Sequence, residues 1–280
     1  MTDRLLEVED LAVTFRSTGG LGLGRGRGEM HAVQGVDFSL SAGEAFALVG
    51  ESGSGKSTTA KCVVGLQQPT RGTLRFKGQP LAPRRDHNER RSIQMVFQDP
   101  YSSLNPRMTI GAALVEVLQV HRLVDSRRAG RARAAELLHL VGMPETALGQ
   151  LPRAFSGGQR QRIGIARALA VEPELLVADE PVSALDVSIQ ASVLMLLKRL
   201  QRDLGLTLLF ISHDLAVVRQ LCDRVAVMEN GRIVETGTTQ QVLSHPSNPF
   251  TRTLLEAATE LPPLDVDIDI DQTIRHATPT

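Results

Sequence analysis

The sequence predicts an α/β fold with a parallel sheet at its centre. Short β-rich apolar runs alternate with helical patterns along much of the chain, which is typical of parallel strands joined by crossover helices. In addition, a glycine-rich turn joins a buried strand-like run, AFALVG, directly to a helix-like run, STTAKCVVGL. The chain has 280 residues, of which 42% are hydrophobic and 22% charged, so it is long enough to bury a large core.

The N-terminal part of the chain is β-rich. Residues 5–16 and 30–49 show short alternating patterns, and a glycine-rich tract at 18–28 separates them. Glycine at every second position does not match a dinucleotide fingerprint, so we interpret this tract as a solvated connection. Two more β-like pieces, TLRFKG and SIQMVF, flank the charge run 84–91, which we interpret as a solvated face.

The middle of the chain predicts a helical insertion, after which strands and helices alternate again. Helical patterns cover 109–141 and end at Gly142, with Pro144 just beyond. The later elements, in order, are a helix at 159–171, a strand at 174–179, a helix at 187–205, a strand at 207–212, a helix at 214–223 and a strand at 224–229. This alternation indicates a parallel sheet.

Charge and cysteine content exclude several classes of protein. Lys plus Arg and Asp plus Glu both total 31, so no global field draws the chain to nucleic acid or to anionic lipid. The two cysteines, Cys62 and Cys222, lie far apart without metal-ligand spacing, which favours a reducing compartment. We expect no signal peptide and no membrane span, because the N-terminus lacks an apolar core and no run approaches about 18 apolar residues.

The sharpest motif follows the strand-like run that ends at Val49 and matches G-x-x-x-x-G-K-[ST]. Its residues are Gly50, Glu51, Ser52, Gly53, Ser54, Gly55, Lys56, Ser57 and Thr58. Glycines permit a tight loop whose N–H groups surround a phosphate, and the helix that follows adds its positive end. Lys56 would neutralise β- and γ-phosphate oxygens, and Ser57 would bind magnesium. The alternative is a flexible turn with a surface lysine, but only four of 31 basic residues are lysines and one falls here.

A second motif is the apolar run 175–178 that ends abruptly in Asp179 and Glu180. A carboxylate at such a strand end can hold magnesium beside a phosphate loop, and Asp179 fits that role. Glu180 can orient or deprotonate the water that attacks a γ-phosphate. Taken alone, the pattern is also typical of a strand that leaves the core into a polar turn. The nearby phosphate motif favours the first interpretation.

A third motif, Phe155-Ser156-Gly157-Gly158-Gln159, precedes a helix and gives the chain a second glycine-rich helix start. By itself it is more often a structural cap. Except for Phe155 at its first position, it resembles the LSGGQ signature of ATP-binding cassette (ABC) ATPases, which contacts ATP held by a partner chain.

The other landmarks of that family appear in the expected order. Gln98 in VFQDP resembles the Q-loop glutamine, and His213 after TLLFIS resembles the switch histidine that contacts the γ-phosphate. Phe15 resembles the aromatic residue that stacks on adenine. The D-loop corresponds to Ser183, Ala184, Leu185 and Asp186. Without the other motifs, we would interpret His213 as an ordinary loop residue and Phe15 as a core residue.

The resemblance implies a P-loop NTPase fold: a RecA-like parallel sheet, an N-terminal antiparallel β subdomain and an inserted α-helical subdomain at about 99–158. It predicts an ABC ATPase domain over 1–245, and a C-terminal extension with a flexible tail over 246–280. It also implies that Ser57, Gln98 and Asp179 bind Mg²⁺. No clustered C-terminal cysteines are present, so we expect no iron–sulfur cluster.

Segments such as RRSIQMVFQDPYSSLNPRMTIG and HPSNPFTRTLLEA resemble the oligopeptide/dipeptide/nickel importer subgroup. The resemblance implies an ATP-hydrolysing subunit at the cytoplasmic face of the membrane that powers peptide uptake. Its implied partners are two permease subunits, a second ABC ATPase and a substrate-binding protein, with no nucleic acid. The alternatives are an importer ATPase for nickel or another small solute, an ABC-type ATPase acting on DNA or ribosomes, and a regulatory subunit that does not hydrolyse ATP.

Overall fold

The computed structural model describes residues 4–16, 29–99, 104–183 and 185–257. They fall into two compact units, which are described separately. The first unit comprises the described residues of 1–89 and 207–261, and the second those of 90–206 and 262–280.

The strands and helices of the described residues are named here in chain order. The strands are β1 (Arg4–Arg16), β2 (Glu29–Ser41), β3 (Ala45–Val49), β4 (Arg71–Phe76), β5 (Gln79–Pro80), β6 (Ile93–Val96), β7 (Leu175–Asp179), β8 (Thr207–Ser212), β9 (Arg224–Glu229) and β10 (Arg232–Thr238). The α-helices are α1 (Lys56–Val63), α2 (His87–Ser92), α3 (Ile110–Val120), α4 (Arg127–Leu140), α5 (Gly157–Leu169), α6 (Val187–Leu204), α7 (Leu215–Leu221), α8 (Thr239–Ser244) and α9 (Pro249–Glu256). Short 3₁₀ helices lie at Glu145–Gly149 and Pro152–Ala154.

The first unit contains the predicted antiparallel sheet, with strand order β2-β1-β4-β5. Strand β1 pairs antiparallel with both β2 and β4, and several bulges interrupt its register. Buried residues such as Leu6, Val8 and Leu11 lie along one strand with exposed ones between them. The partial alternation of the sequence therefore reflects a sheet with one covered face.

The other strands of the first unit form a mainly parallel sheet with one antiparallel strand at its edge. Strand β3 lies between β8 and β9 and pairs parallel with both, and β10 adds antiparallel to β9. All five residues of β3 and all six of β8 are buried. A parallel strand covered on both faces reads as a continuous apolar run, which is why AFALV and TLLFIS show no alternation.

The second unit combines a parallel strand pair, β6 with β7, and a group of helices. Helices α3 and α4 begin at side-chain caps, where Thr109 Oγ1 accepts from Ala112 N and Ser126 Oγ from Ala129 N. Their apolar faces are covered; the buried leucines are Leu114, Leu118, Leu137 and Leu138. This confirms the helical patterns predicted over 109–141.

The observed strands at 207–212 and 224–229 coincide with the predicted ones, and the mixed sheet architecture is confirmed. The interpretation of 84–91 as a solvated face is wrong for Arg85, which is 7% exposed. The sequence also did not reveal β10, α8 or α9. The glycine-rich tract, Ala184 and the tail from 258 lie outside the described residues, and the predicted domain boundaries stay predictions.

No helix within the described ranges is both long enough and apolar enough to cross a membrane.

The segment that leads into α9 is attached to β10 through Glu235. Its carboxylate accepts from Ser247 N and Oγ, both at 2.8 Å, and from Asn248 N at 3.1 Å. Asn248 then caps α9 by accepting from Phe250 N. Desolvation opposes the charged carboxylate, but the hydrogen bonds that Ser247 and Asn248 donate outweigh it and hold the pKa of Glu235 below its ordinary value.

We therefore expect Glu235→Gln to lower the free energy of unfolding at neutral pH, because the charged acceptor is lost. A carboxylate with a lowered pKa stabilises the fold fully above its ordinary pKa, and this contribution disappears as the pH falls through the lowered value. Urea unfolding of both proteins between pH 7 and pH 3 should show their stabilities converging in acid. A difference that stays constant over this range would contradict the role of Glu235.

Candidate functional site

The loop between β3 and α1 lies against neighbouring backbone, and two glycines make this close approach possible. Gly50 has φ +152°, and a Cβ there would lie 2.0 Å from Met228 O. Gly55 has φ +104°, and a Cβ there would lie 2.3 Å from Ala32 O. Any other residue at either position would have to displace a backbone carbonyl. The loop is thus fixed in place by the strands beside it.

Lys56 lies within this loop and is only 4% exposed. Its Nζ donates to Gly50 O and Glu51 O, both at 2.7 Å, and to Ser54 Oγ at 3.4 Å. Helix α1 begins at Lys56, and its N-cap is Gly55, which has no side chain to accept from the first-turn N–H groups. A buried ammonium beside such a helix start is suited to bind a phosphate anion.

His213 lies at the same sheet edge as this loop. Val49 of β3 and Ser212 of β8 are partners in a parallel register, so Gly50 and His213 leave adjacent strands at their carboxyl ends. His213 is exposed, and Asp214 next to it caps α7 by accepting from Ala216 N at 2.8 Å. The topology of the first unit therefore brings the predicted switch histidine beside the phosphate loop.

In the second unit, the end of β7 carries the predicted carboxylates. Asp179 is 6% exposed, whereas Glu180 is partly exposed and has φ +45°, an uncommon conformation for a residue other than glycine. Ser183 Oγ donates to Glu180 O at 3.1 Å, which helps to hold that conformation. Backbone strain of this kind is concentrated at functional sites.

Gln98 reaches the same cluster from the end of β6. Its Nε2 donates to Glu180 Oε2 at 3.2 Å and to Ser183 Oγ at 3.3 Å. Strands β6 and β7 are parallel neighbours, and Val96 pairs with Ala178, so their carboxyl ends place these side chains together. The structure thus brings Gln98 to Glu180 and Ser183, which lie more than 80 residues later in the sequence.

The second glycine-rich motif forms the start of α5 through a reciprocal cap. Ser156 Oγ accepts from Gln159 N at 3.3 Å, and Gln159 Oε1 accepts from Ser156 N at 2.9 Å. A Cβ on Gly158 would lie 2.1 Å from Ile189 Cγ2, and one on Gly157 would lie 3.2 Å from Leu185 Cδ2. The glycines therefore allow the signature segment to pack closely against the D-loop and the start of α6.

The remaining predicted residues have simpler surroundings. Phe15 is 38% exposed near the end of β1, so part of its ring faces solvent. Asp186 is the N-cap residue of α6. Within the described part of the chain, no group of three or more His, Cys, Asp or Glu side chains could hold a metal ion.

Two features of the structure were not foreseen from the sequence. The positive φ of Glu180 has no signal in an apolar run followed by Asp-Glu. Arg85 contacts the C-terminal end of α1 through Cys62 O and Val63 O, yet it lies in a charge run that is typical of solvent-exposed segments.

Comparison with known proteins gives consistent matches. The family model described as ABC transporter matches residues 33–183, more than half of the chain. The oligopeptide transport ATP-binding protein OppF of Lactococcus lactis subsp. lactis is 48% identical over 94% of this chain and 82% of its own length. OppD of Bacillus subtilis is 46% identical over 99% of this chain and 77% of its own length. The glutathione import ATP-binding protein GsiA of Escherichia coli is 50% identical over 90% of this chain, which spans 41% of that protein.

Solved structures share the fold. CbiO1 of Clostridium perfringens, part of the ABC transporter complex cbiONQ, superposes with a TM-score of 0.73 at 29% identity, over 87% of this chain and 92% of its own. The ATP-binding cassette MJ0796, in a dimeric post-hydrolysis state with ADP and Pi, gives a TM-score of 0.72 at 29% identity, over 84% of this chain and 99% of its own.

Proposed function

The chain belongs to the ABC transporter family, and we propose that it is the ATP-hydrolysing subunit of an importer for short peptides. The observation that carries the proposal is Lys56, a buried ammonium within the glycine loop at the start of α1. That arrangement suits the phosphate tail of a nucleotide. The cargo class is taken from the relatives named for oligopeptide transport, and glutathione is itself a small peptide.

We assign ATP binding to the loop and to His213 and Phe15, which belong to the same unit. The N–H groups of residues 50–58 and the Lys56 ammonium would bind the β- and γ-phosphates. On binding, Lys56 would exchange the carbonyls of Gly50 and Glu51 for phosphate oxygens. His213 would contact the γ-phosphate, and the exposed face of Phe15 would stack on the adenine ring.

We carry the magnesium-binding role of the family over to Ser57, Gln98 and Asp179, residue by residue. Hydroxyl, amide and carboxylate oxygens are hard donors of the kind this ion prefers. A few protein oxygens together with substrate phosphates are also its usual environment in phosphoryl-transfer enzymes, where no cage of carboxylates is needed. When bound, the ion supplies charge neutralisation at the phosphates.

Hydrolysis is assigned to Glu180. Its carboxylate lies at the end of β7 and accepts from Gln98, while Ser183 donates to its backbone carbonyl. A fixed carboxylate can orient an attacking water and accept its proton. Because Gln98 donates to Glu180 Oε2, movement of the segment that contains Gln98 would change the position of this base.

The partner side of the nucleotide is assigned to the signature. Ser156 and the amides at the start of α5 would contact the γ-phosphate of ATP bound by a second ATPase chain. ATP would then hold the two chains together, and loss of the γ-phosphate would favour their separation. Packing of Gly157 and Gly158 against Leu185 and Ile189 links this surface to the D-loop.

The transported molecule must cross the membrane through other subunits. We propose two permease subunits, a substrate-binding protein on the outer side that selects the peptide, and a location of this chain at the cytoplasmic membrane face. The helical segment around α3 and α4 follows Gln98 in the sequence, and we assign to it the permease contact.

Glu180→Gln tests the assignment of the base. The variant keeps the shape of the side chain, so it should bind Mg-ATP with essentially unchanged affinity and remain in an ATP-bound dimer. Its turnover should fall by roughly 100-fold or more, because proton acceptance is lost. Calorimetric titration measures the affinity, light scattering the dimer and phosphate release the turnover. Glu145→Gln, at an exposed position, is the matched control, and undiminished turnover of Glu180→Gln would refute the role.

The transport assignment is tested by purifying the tagged chain from detergent-solubilised native membranes. We expect two permease subunits and a second ATPase to accompany it, and added short peptide with the binding protein to stimulate ATP hydrolysis. Recovery with ribosomes or DNA would contradict the importer assignment. Stimulation by nickel ion and not by peptide would replace the proposed cargo.

A further inference from the structure

Arg85 is a buried cation at the C-terminal end of α1. It is 7% exposed, and its Nη2 donates to Cys62 O at 3.0 Å and to Val63 O at 3.2 Å. Its Nη1 donates to Ala82 O, in the connection between β5 and α2. One guanidinium therefore joins the last turn of α1 to this connection by several hydrogen bonds.

The end of α1 is shaped to receive this side chain. Gly65 N donates to Cys62 O at 3.1 Å and Leu66 N to Lys61 O at 2.8 Å, the pattern of a Schellman motif, with Gly65 at φ +79°. A Cβ on Gly65 would lie 2.5 Å from Arg85 Cγ. Glycine at position 65 therefore permits the left-handed backbone and also leaves room for the Arg85 side chain.

The positive charge of Arg85 lies beside the last carbonyl groups of α1, where a helix favours a cation. Burial lowers the pKa of Arg85, and the nearby Glu89 carboxylate opposes this shift. Arg85 Nε is buried without a hydrogen-bond partner. A desolvated cation with one unsatisfied donor is costly unless the surroundings favour positive charge. The partial negative charge of the last carbonyls of α1 provides that compensation.

The same helix carries the phosphate loop at its other end. It contains only eight residues and is about 12 Å long, with Lys56 at its start and the carbonyls that Arg85 contacts at its end. A helix this short has little stability of its own and depends on its contacts. Loss of the contact at one end would allow the other end to shift.

We propose that Arg85 is a positioning residue of the nucleotide site, which holds α1 at its C-terminal end so that the first-turn N–H groups and Lys56 keep the position that binds phosphate. The inference rests on the proposed function, because it assumes that ATP phosphates bind at residues 50–58. Arg85 acts through the helix and touches no substrate.

The test compares Mg-ATP affinity and stability in the full chain. Arg85→Ala should weaken Mg-ATP binding by roughly tenfold in calorimetric titration, because the phosphate-binding end of α1 is no longer held in place. Arg84→Ala, at the exposed neighbouring position, should bind as the wild type does. Leu243→Ala, in the buried face of α8, should lower the urea midpoint without changing affinity, which separates positioning from general destabilisation.

Two further measurements keep the proposal testable if Arg85→Ala folds poorly. Arg85→Lys keeps the charge but loses the forked donor, and its affinity should lie between those of the wild type and the alanine variant. Millimolar guanidinium ion, but not sodium ion, should restore the affinity of Arg85→Ala by filling the space left by the side chain.

Different results would contradict the inference about Arg85 and the proposed function. Wild-type affinity in both Arg85→Ala and Arg85→Lys would overturn the positioning role, as would an equal loss of affinity in Leu243→Ala. Lys56→Ala, measured in the same titration, reports on the proposed function itself. If Lys56→Ala binds Mg-ATP normally, the nucleotide site is wrongly assigned; if it loses binding while the Arg85 variants keep theirs, only the inference about Arg85 fails.

Discussion

The ammonium of Lys56 is buried, and the local structure around it serves to satisfy that charge. A buried cation is stable only where oxygens surround it. The carbonyls of Gly50 and Glu51 can turn toward Lys56 because the chain reverses tightly after β3. That reversal requires glycine at 50 and 55, where any side chain would collide with the backbone of neighbouring strands. The need to surround the Lys56 ammonium with oxygens thus accounts for the tight turn of the loop and for its glycines.

The two glycine-rich helix starts satisfy their N–H groups in different ways. Helix α5 has a complete capping box between Ser156 and Gln159, so its start is well formed without a ligand. Helix α1 begins after Gly55, which offers no side-chain acceptor. The start of α1 is therefore suited to enclose an anion, whereas the start of α5 is suited to present a preformed surface to one. This difference fits the proposal that one end binds ATP in its own chain and the other contacts ATP in a partner.

The parts of the fold that could be predicted are those where local pattern and tertiary structure agree. Strands β8 and β9 are buried, and their apolar residues mark where each strand begins and ends. The phosphate motif predicts a strand before it, a loop within it and a helix after it. Burial of Arg85 could not be predicted, because it depends on carbonyl groups at the end of α1, 22 and 23 residues earlier in the sequence. The conformation of Glu180 likewise depends on contacts from Ser183 and Gln98, which an apolar run does not encode. In both cases polar contacts, rather than the hydrophobic pattern, determine what the sequence did not show.

The most direct test is a crystal structure of the full chain with magnesium and a non-hydrolysable ATP analogue. We expect the triphosphate to lie along residues 50–58, with Lys56 Nζ moved from Gly50 O and Glu51 O to phosphate oxygens. A triphosphate bound elsewhere, with the Lys56 ammonium still on the loop carbonyls, would contradict the assignment of this loop as the nucleotide site.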